Sequence, residues 1–186
     1  MVAVYSFDGF SRGSLLPAPG IPADIATTSA ATLEAWYTNF SQATVEAWYI
    51  AITKGVGEVM FADSVIVGIL FLVGIAITSL RGAVMALLGA IVGVAVPILL
   101  GADKTLIELG LYAFNPVLTM MAVGWVFLKP SNGTALLALL AGVLTIICQA
   151  GLANFLAPIG LPTLTLPFVL VMWMFLFAAS KSKYWK

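Results

Sequence analysis

Histidine is absent from this chain and cysteine occurs once, at Cys148. Those scarcities exclude a disulfide framework and a Cys/His metal cluster. Charge is scarce too: 9% of the 186 residues are charged, and eight bases balance eight acids. A net charge of zero leaves no basic field for nucleic acid. No nucleophile–base pair or metal set stands in the chain, so neither an enzyme nor a bound cofactor is expected. The first residues, "MVAVYSFDGF", lack the basic and apolar regions of a cleaved signal peptide. No repeat with a solenoid's period is visible.

What the chain has is apolar length. Hydrophobic residues make up 62% of it, and the mean hydropathy is +1.11. A soluble domain is about half apolar and about a quarter charged, so the reading is an all-α integral membrane protein. Residues 1–30, "polar and Pro/Gly-rich" in character, read as an exposed arm, and 31–43 as an amphipathic interfacial segment. "LEAWY" at 33–37 is echoed by "VEAWY" at 45–49, with Trp and Tyr suited to the membrane interface. The membrane domain runs over 44–181, and 182–186 form a basic tail. Within the domain, spans are expected at 65–80, 82–100, 106–128, 134–156 and 161–179, judged against the roughly 20 apolar residues a crossing helix needs. Residues 44–61 carry Lys54 and Glu58 and are shorter in apolar length, which fits a re-entrant half-helix. Small residues in 82–100 (Gly82, Ala83, Gly89, Ala90, Gly93) suit close helix packing.

With five crossings, one side of the membrane holds Arg81, Lys129, Lys181, Lys183 and Lys186 and no acid. The other holds Arg12, Lys54 and Lys104 with all eight acids. The excess of Lys and Arg puts the C-terminus in the cytoplasm and the N-terminus outside, in a bacterial-type inner or plasma membrane.

Polar and helix-breaking residues at depth mark candidate function. Glu58 follows "GVG", and a carboxylate in a membrane segment is a functional hypothesis, set against an interfacial acid near water. Asp63 and Glu108 read as interfacial acids at helix starts. Gln149 and Asn154 read as glue between helices, and Cys148 as packing. Proline within a helix removes a hydrogen bond, at roughly 3 kcal/mol. Pro116 in "GLYAFNPVL" is therefore expected to free the Tyr112 carbonyl, Pro167 in "LPTLTLPF" that of Thr163, and Pro162 that of Pro158. Thr165 adds a hydroxyl near Thr163, and Phe114, Leu118 and Phe168 flank the breaks. Irregular backbone at membrane depth is tolerated where it is buried in protein or lines a cavity. Carbonyls, a hydroxyl and a carboxylate form a row of acceptors, and phenyl faces form a slot. That lining suits a small, flat, neutral molecule rich in N–H donors, such as urea or a simple amide.

At these residues the chain resembles the urea transporter family. "GVGEVMFADSVIVGILFLVGI", "GLYAFNPVL" and "LPTLTLPF" resemble three family segments in order and spacing, over residues 44–180. Two departures are Ala113 in place of the usual Gly and Pro116 where other residues are usual. The resemblance implies a passive channel with oxygen ladders between phenylalanine slots. By position, Glu58 would border the filter, Phe61 and Phe114 would sandwich the flat solute, Leu118 would narrow the passage, and Thr165 would place its hydroxyl at the constricted centre, close to the Thr163 carbonyl read above as a pore acceptor. Family members carry two inverted halves in one chain, and this chain resembles one half, the second. The implied partners are a complementary half-chain or an antiparallel second copy, with three pores per assembly. Two other readings stand beside it: a small proton-coupled antiporter subunit using Glu58, and a structural subunit of a membrane complex.

Overall fold

The computed structural model describes residues 45–102 and 104–181. The arm at 1–30, the segment 31–43 and the tail 182–186 lie outside the described residues. All regular structure among those described is helical. Helix α1 (Val45–Gly57) runs into a single 3-10 turn, Glu58–Met60. Helices α2 (Val65–Thr78) and α3 (Leu80–Leu99) follow, then a short α4 (Lys104–Glu108). Helix α5 (Phe114–Met121) passes into a π turn at Ala122–Val126. Helix α6 (Asn132–Leu156) and α7 (Leu166–Ser180) complete the order.

Local chemistry accounts for the boundaries. Ser79 is extended, ends α2, and caps α3 by accepting the Gly82 N–H at 3.1 Å. Ser131 and Thr134 form a reciprocal capping box at the start of α6, which satisfies two donors that a helix start leaves open. Only α3 and α6 are each long and apolar enough to cross a bilayer among the described residues. Residues 47–60 and α2 together make a third candidate, bent by 72° at the intervening break. The apolar helices Phe114–Val126 and Leu166–Ser180 are shorter.

Helix α5 is the centre of the fold, packed against α1, α3, α6 and α7. Its approach is made possible by glycine. A Cβ on Gly93 or Gly55 would run into Ala113, and one on Gly89 would reach the Val117 backbone at 2.6 Å. The small residues read in 82–100, Gly82, Ala83, Gly89, Ala90 and Gly93, are all buried; Gly89 and Gly93 meet the start of α5, and Gly82 meets Trp125 of the π turn. Backbones that close gain dispersion contacts, which drive helix association where hydrophobicity cannot.

The prolines behave differently from the expectation. Segment 106–128 is not a helix broken at Pro116. It is α4, a turn through Gly110 (φ +77°), and a new helix whose third residue is Pro116. Pro167 is likewise the second residue of α7, and Pro162 lies in the connection before it. First-turn N–H groups have no partner within their own helix, so proline there removes nothing. The Thr163 carbonyl is not freed: it accepts the Leu166 N–H at 3.1 Å. Among the described residues, the proline inside a helix body is Pro97, near the end of α3, fully packed. Glu108 closes α4 rather than starting a helix.

Candidate functional site

Two helix starts, Phe114 and Leu166, come together through one side chain. Asn115, with no exposed surface, donates from Nδ2 to the Leu164 carbonyl at 3.0 Å and to Gln149 Oε1 at 3.0 Å. Gln149 on α6 donates in turn to the Leu111 carbonyl at 2.7 Å. One amide pair thus joins the turn before α5, the turn before α7 and the middle of α6. Gln149 does join elements, as its sequence position implied; Asn154 donates to Ala150 on its own helix at 3.2 Å. Below, the Thr119 and Thr145 hydroxyl oxygens lie 2.9 Å apart, each also within hydrogen-bond distance of a carbonyl one turn back, Asn115 and Ala141, so two protons serve three contacts.

The two sides of α5 differ. Asn115, Pro116, Val117, Thr119 and Met120 are buried, whereas Phe114, Leu118 and Met121 are only partly so. Those three lie one turn apart along one stripe of the helix. The aromatic and the leucine read as candidate slot residues are therefore on the open side of α5. The turn Glu58–Met60 packs against α5 as well. Glu58 is half-buried, and Lys54, one turn before it, is paired with Asp63 at 2.7 Å. Asp63 thus precedes α2 as a charge partner of α1, tying the ends of the bend together.

Phe61 follows the 3-10 turn in a left-handed conformation, φ +54°, and is 76% exposed. Leu164 is left-handed too, at φ +44°. Left-handed backbone is disfavoured for residues with a Cβ and is found where surrounding contacts enforce it. Thr165 begins α7 at N-cap, partly buried, and its hydroxyl makes no cap bond. Thr163 is partly buried beside it. The structure thus sets the Glu58 turn and the Thr163–Thr165 turn against α5, and leaves Phe61 unpacked within the chain.

Asn115 is the residue that sequence reasoning missed. Its signal was present: an Asn directly before a proline, with Gln149 the matching amide in the next long apolar segment. Arg81 is a second omission. Its Nε donates to the Gly124 carbonyl at 3.1 Å and its guanidinium NH2 to the Ser131 carbonyl at 2.6 Å, binding the start of α3 to the π turn and to the start of α6. No group of metal-ligating side chains is found among the described residues.

Long apolar helices, discontinuous short ones and polar groups at the joints are those of an all-helical integral membrane protein. A family model described as "Urea transporter" matches residues 1–180. The chain is 32% identical over 128 residues to urea transporter 1 of Ovis aries and, to the same extent, of Capra hircus. The Mus musculus protein of that name is also 32% identical over 128 residues. These alignments cover 69% of this chain and 33% of each relative. The chain belongs to the urea transporter family, a family of transporters and not of enzymes. It aligns over about a third of the length of those relatives.

Proposed function

We propose that the chain forms one half of a passive channel for urea or a closely related small amide. The observation that carries this reading is the open side of α5, where Phe114 and Leu118 stand partly exposed beside two turns bearing Thr163, Thr165 and Glu58. Phenyl and leucyl surfaces would hold a flat solute, and hydroxyl, carbonyl and carboxylate oxygens would replace the water that its N–H groups give up. Phe61, left exposed in the single chain, would close the slot from the bend between α1 and α2. Family membership supports the solute class.

The chain's core is filled by its own helices, so a pore at the open face is completed by a second half. An odd number of crossings, counting 44–61 as re-entrant and the discontinuous segments 106–128 and 161–179 as crossings, would put the termini on opposite sides and allow an inverted partner. The bias of Lys and Arg toward the C-terminal side favours a single orientation, C-terminus in the cytoplasm. The partner is then a complementary half-chain, with three pores in the assembly.

Urea efflux from proteoliposomes, followed by light scattering, tests this. Saturable flux is expected when the chain is supplied with its complementary half, and Thr165→Val and Phe114→Ala each reduce it. Flux that stays at the lipid level with well-folded protein and every candidate half would overturn the proposal. Saturable flux from this chain alone would replace the complementary partner by an inverted second copy.

A further inference from the structure

Asn115 and Gln149 do not line the open side of α5; both are buried, and Asn115 completely. Yet the two helix starts that carry the candidate slot residues are tied by this pair. We infer that Asn115 is the positioning residue of the site, its amide fixing the Thr163–Thr165 turn against the first turn of α5, with Gln149 holding that amide in orientation. The inference rests on the channel reading only for what passes over the turn.

Three observations converge on it. First, both Nδ2 hydrogens have directed acceptors, Gln149 Oε1 and the Leu164 carbonyl, each at 3.0 Å. Second, the acceptor on the turn belongs to Leu164, whose left-handed φ of +44° persists only under restraint from its surroundings. The bond from Asn115 supplies such a restraint at the peptide joining Leu164 to Thr165. Third, Asn115 Oδ1 is buried without a partner. The donor side is used fully and the acceptor side is not, so the function of this side chain is donation to the turn.

The amide orientation is enforced from outside. Gln149 Nε2 is engaged by the Leu111 carbonyl, which presents Oε1 to Asn115. Turning the Asn115 amide over would place its oxygen against two acceptor oxygens, Gln149 Oε1 and Leu164 O. The pair therefore acts as a directional relay from the turn before α5, through α6, to the turn before α7. Thr165 takes its place at the N-cap of α7 one residue beyond the relay's last acceptor.

Hydrogen–deuterium exchange on the purified full chain in nanodiscs tests this with Asn115→Ala, which removes both donors and adds no group that can donate. Gln149→Leu is the second variant. The amides of Leu166 and Val169 report on the turn, since they donate to Thr163 and Thr165. Protection over 163–169 is expected to fall about tenfold in Asn115→Ala, on loss of the hydrogen bond to the Leu164 carbonyl, and by less in Gln149→Leu. Protection over Leu80–Leu99 is expected to stay as in the unsubstituted chain. Local protection within twofold in both variants would overturn the inference. So would equal loss everywhere in both, which would make the pair a general part of the core. Urea flux of the unsubstituted chain with its partner half, measured in parallel, judges the channel reading separately: loosening of the turn without any wild-type flux leaves the relay standing and removes the channel.

Discussion

At the residue scale, the site divides into groups that hold and groups that are left free. Thr165 belongs to the second kind, because its hydroxyl makes no cap bond to α7. Thr165→Val keeps the volume and removes the oxygen. Its unfolding midpoint in detergent is expected to lie within about 0.5 kcal/mol of the unsubstituted protein, as for sites away from buried networks, while urea flux falls. Gly93 belongs to the first kind. Gly93→Val would drive a branched side chain into the Ala113 backbone, and overpacking of this sort costs about 1–3 kcal/mol. Thermal denaturation in the same detergent checks it. Ala113 itself fits because Gly55 and Gly93 both face it without side chains.

At the element scale, helix ends carry the information. Arg81 sits in the first turn of α3, where a cation is unfavourably placed on the helix dipole. Its bonds to the Gly124 and Ser131 carbonyls compensate, and the Gly124 carbonyl lies in the π turn that ends α5. Arg81→Ala is expected to lower stability by about 2 kcal/mol, the range for hydrogen bonds to a charged donor. Arg81→Lys recovers less than half, since one ammonium cannot reproduce the fork; chemical denaturation of the two variants decides this. Pro116→Ala is expected to leave the start of α5 at Phe114 and helix content by circular dichroism unchanged, because Gly110 and its left-handed turn set that start. Much of this level could be read from the amino-acid order. Apolar length marked α3 and α6, and the clustered Pro, Gly and Thr marked the two joints. The proline arithmetic failed because it assumed that helices continue through each proline. A residue at a helix start and one at a helix break look alike in one dimension. Asn115 escaped notice for a related reason: its acceptors, Gln149 and Leu164, lie far along the chain and are joined only by the fold.

At the scale of the whole molecule, the charge pattern makes a statement about assembly. In the proposed two-half channel, a chain that inserts in one orientation takes a partner that inserts in the other, and a protein biased in Lys and Arg is not indifferent to direction. A tag on the C-terminus, labelled by an impermeant reagent in intact cells and again after permeabilisation, is expected to react only after permeabilisation. Labelling of about half the tags in intact cells would point instead to two copies in opposite directions. The glycine faces of α1 and α3 carry a consequence of another kind, for how the protein can vary. Because backbone lies against backbone at Gly55, Gly93 and Ala113, the width of the scaffold is not adjustable by side-chain size. Successive positions along α5 must then differ in freedom: Phe114 and Leu118 can be exchanged for residues of other shapes, while Ala113, Val117 and Met120, and Met121 packed against both core clusters, cannot. A saturation scan of this helix would show tolerance rising and falling with the helical turn, and new solute preferences would be confined to its permissive stripe.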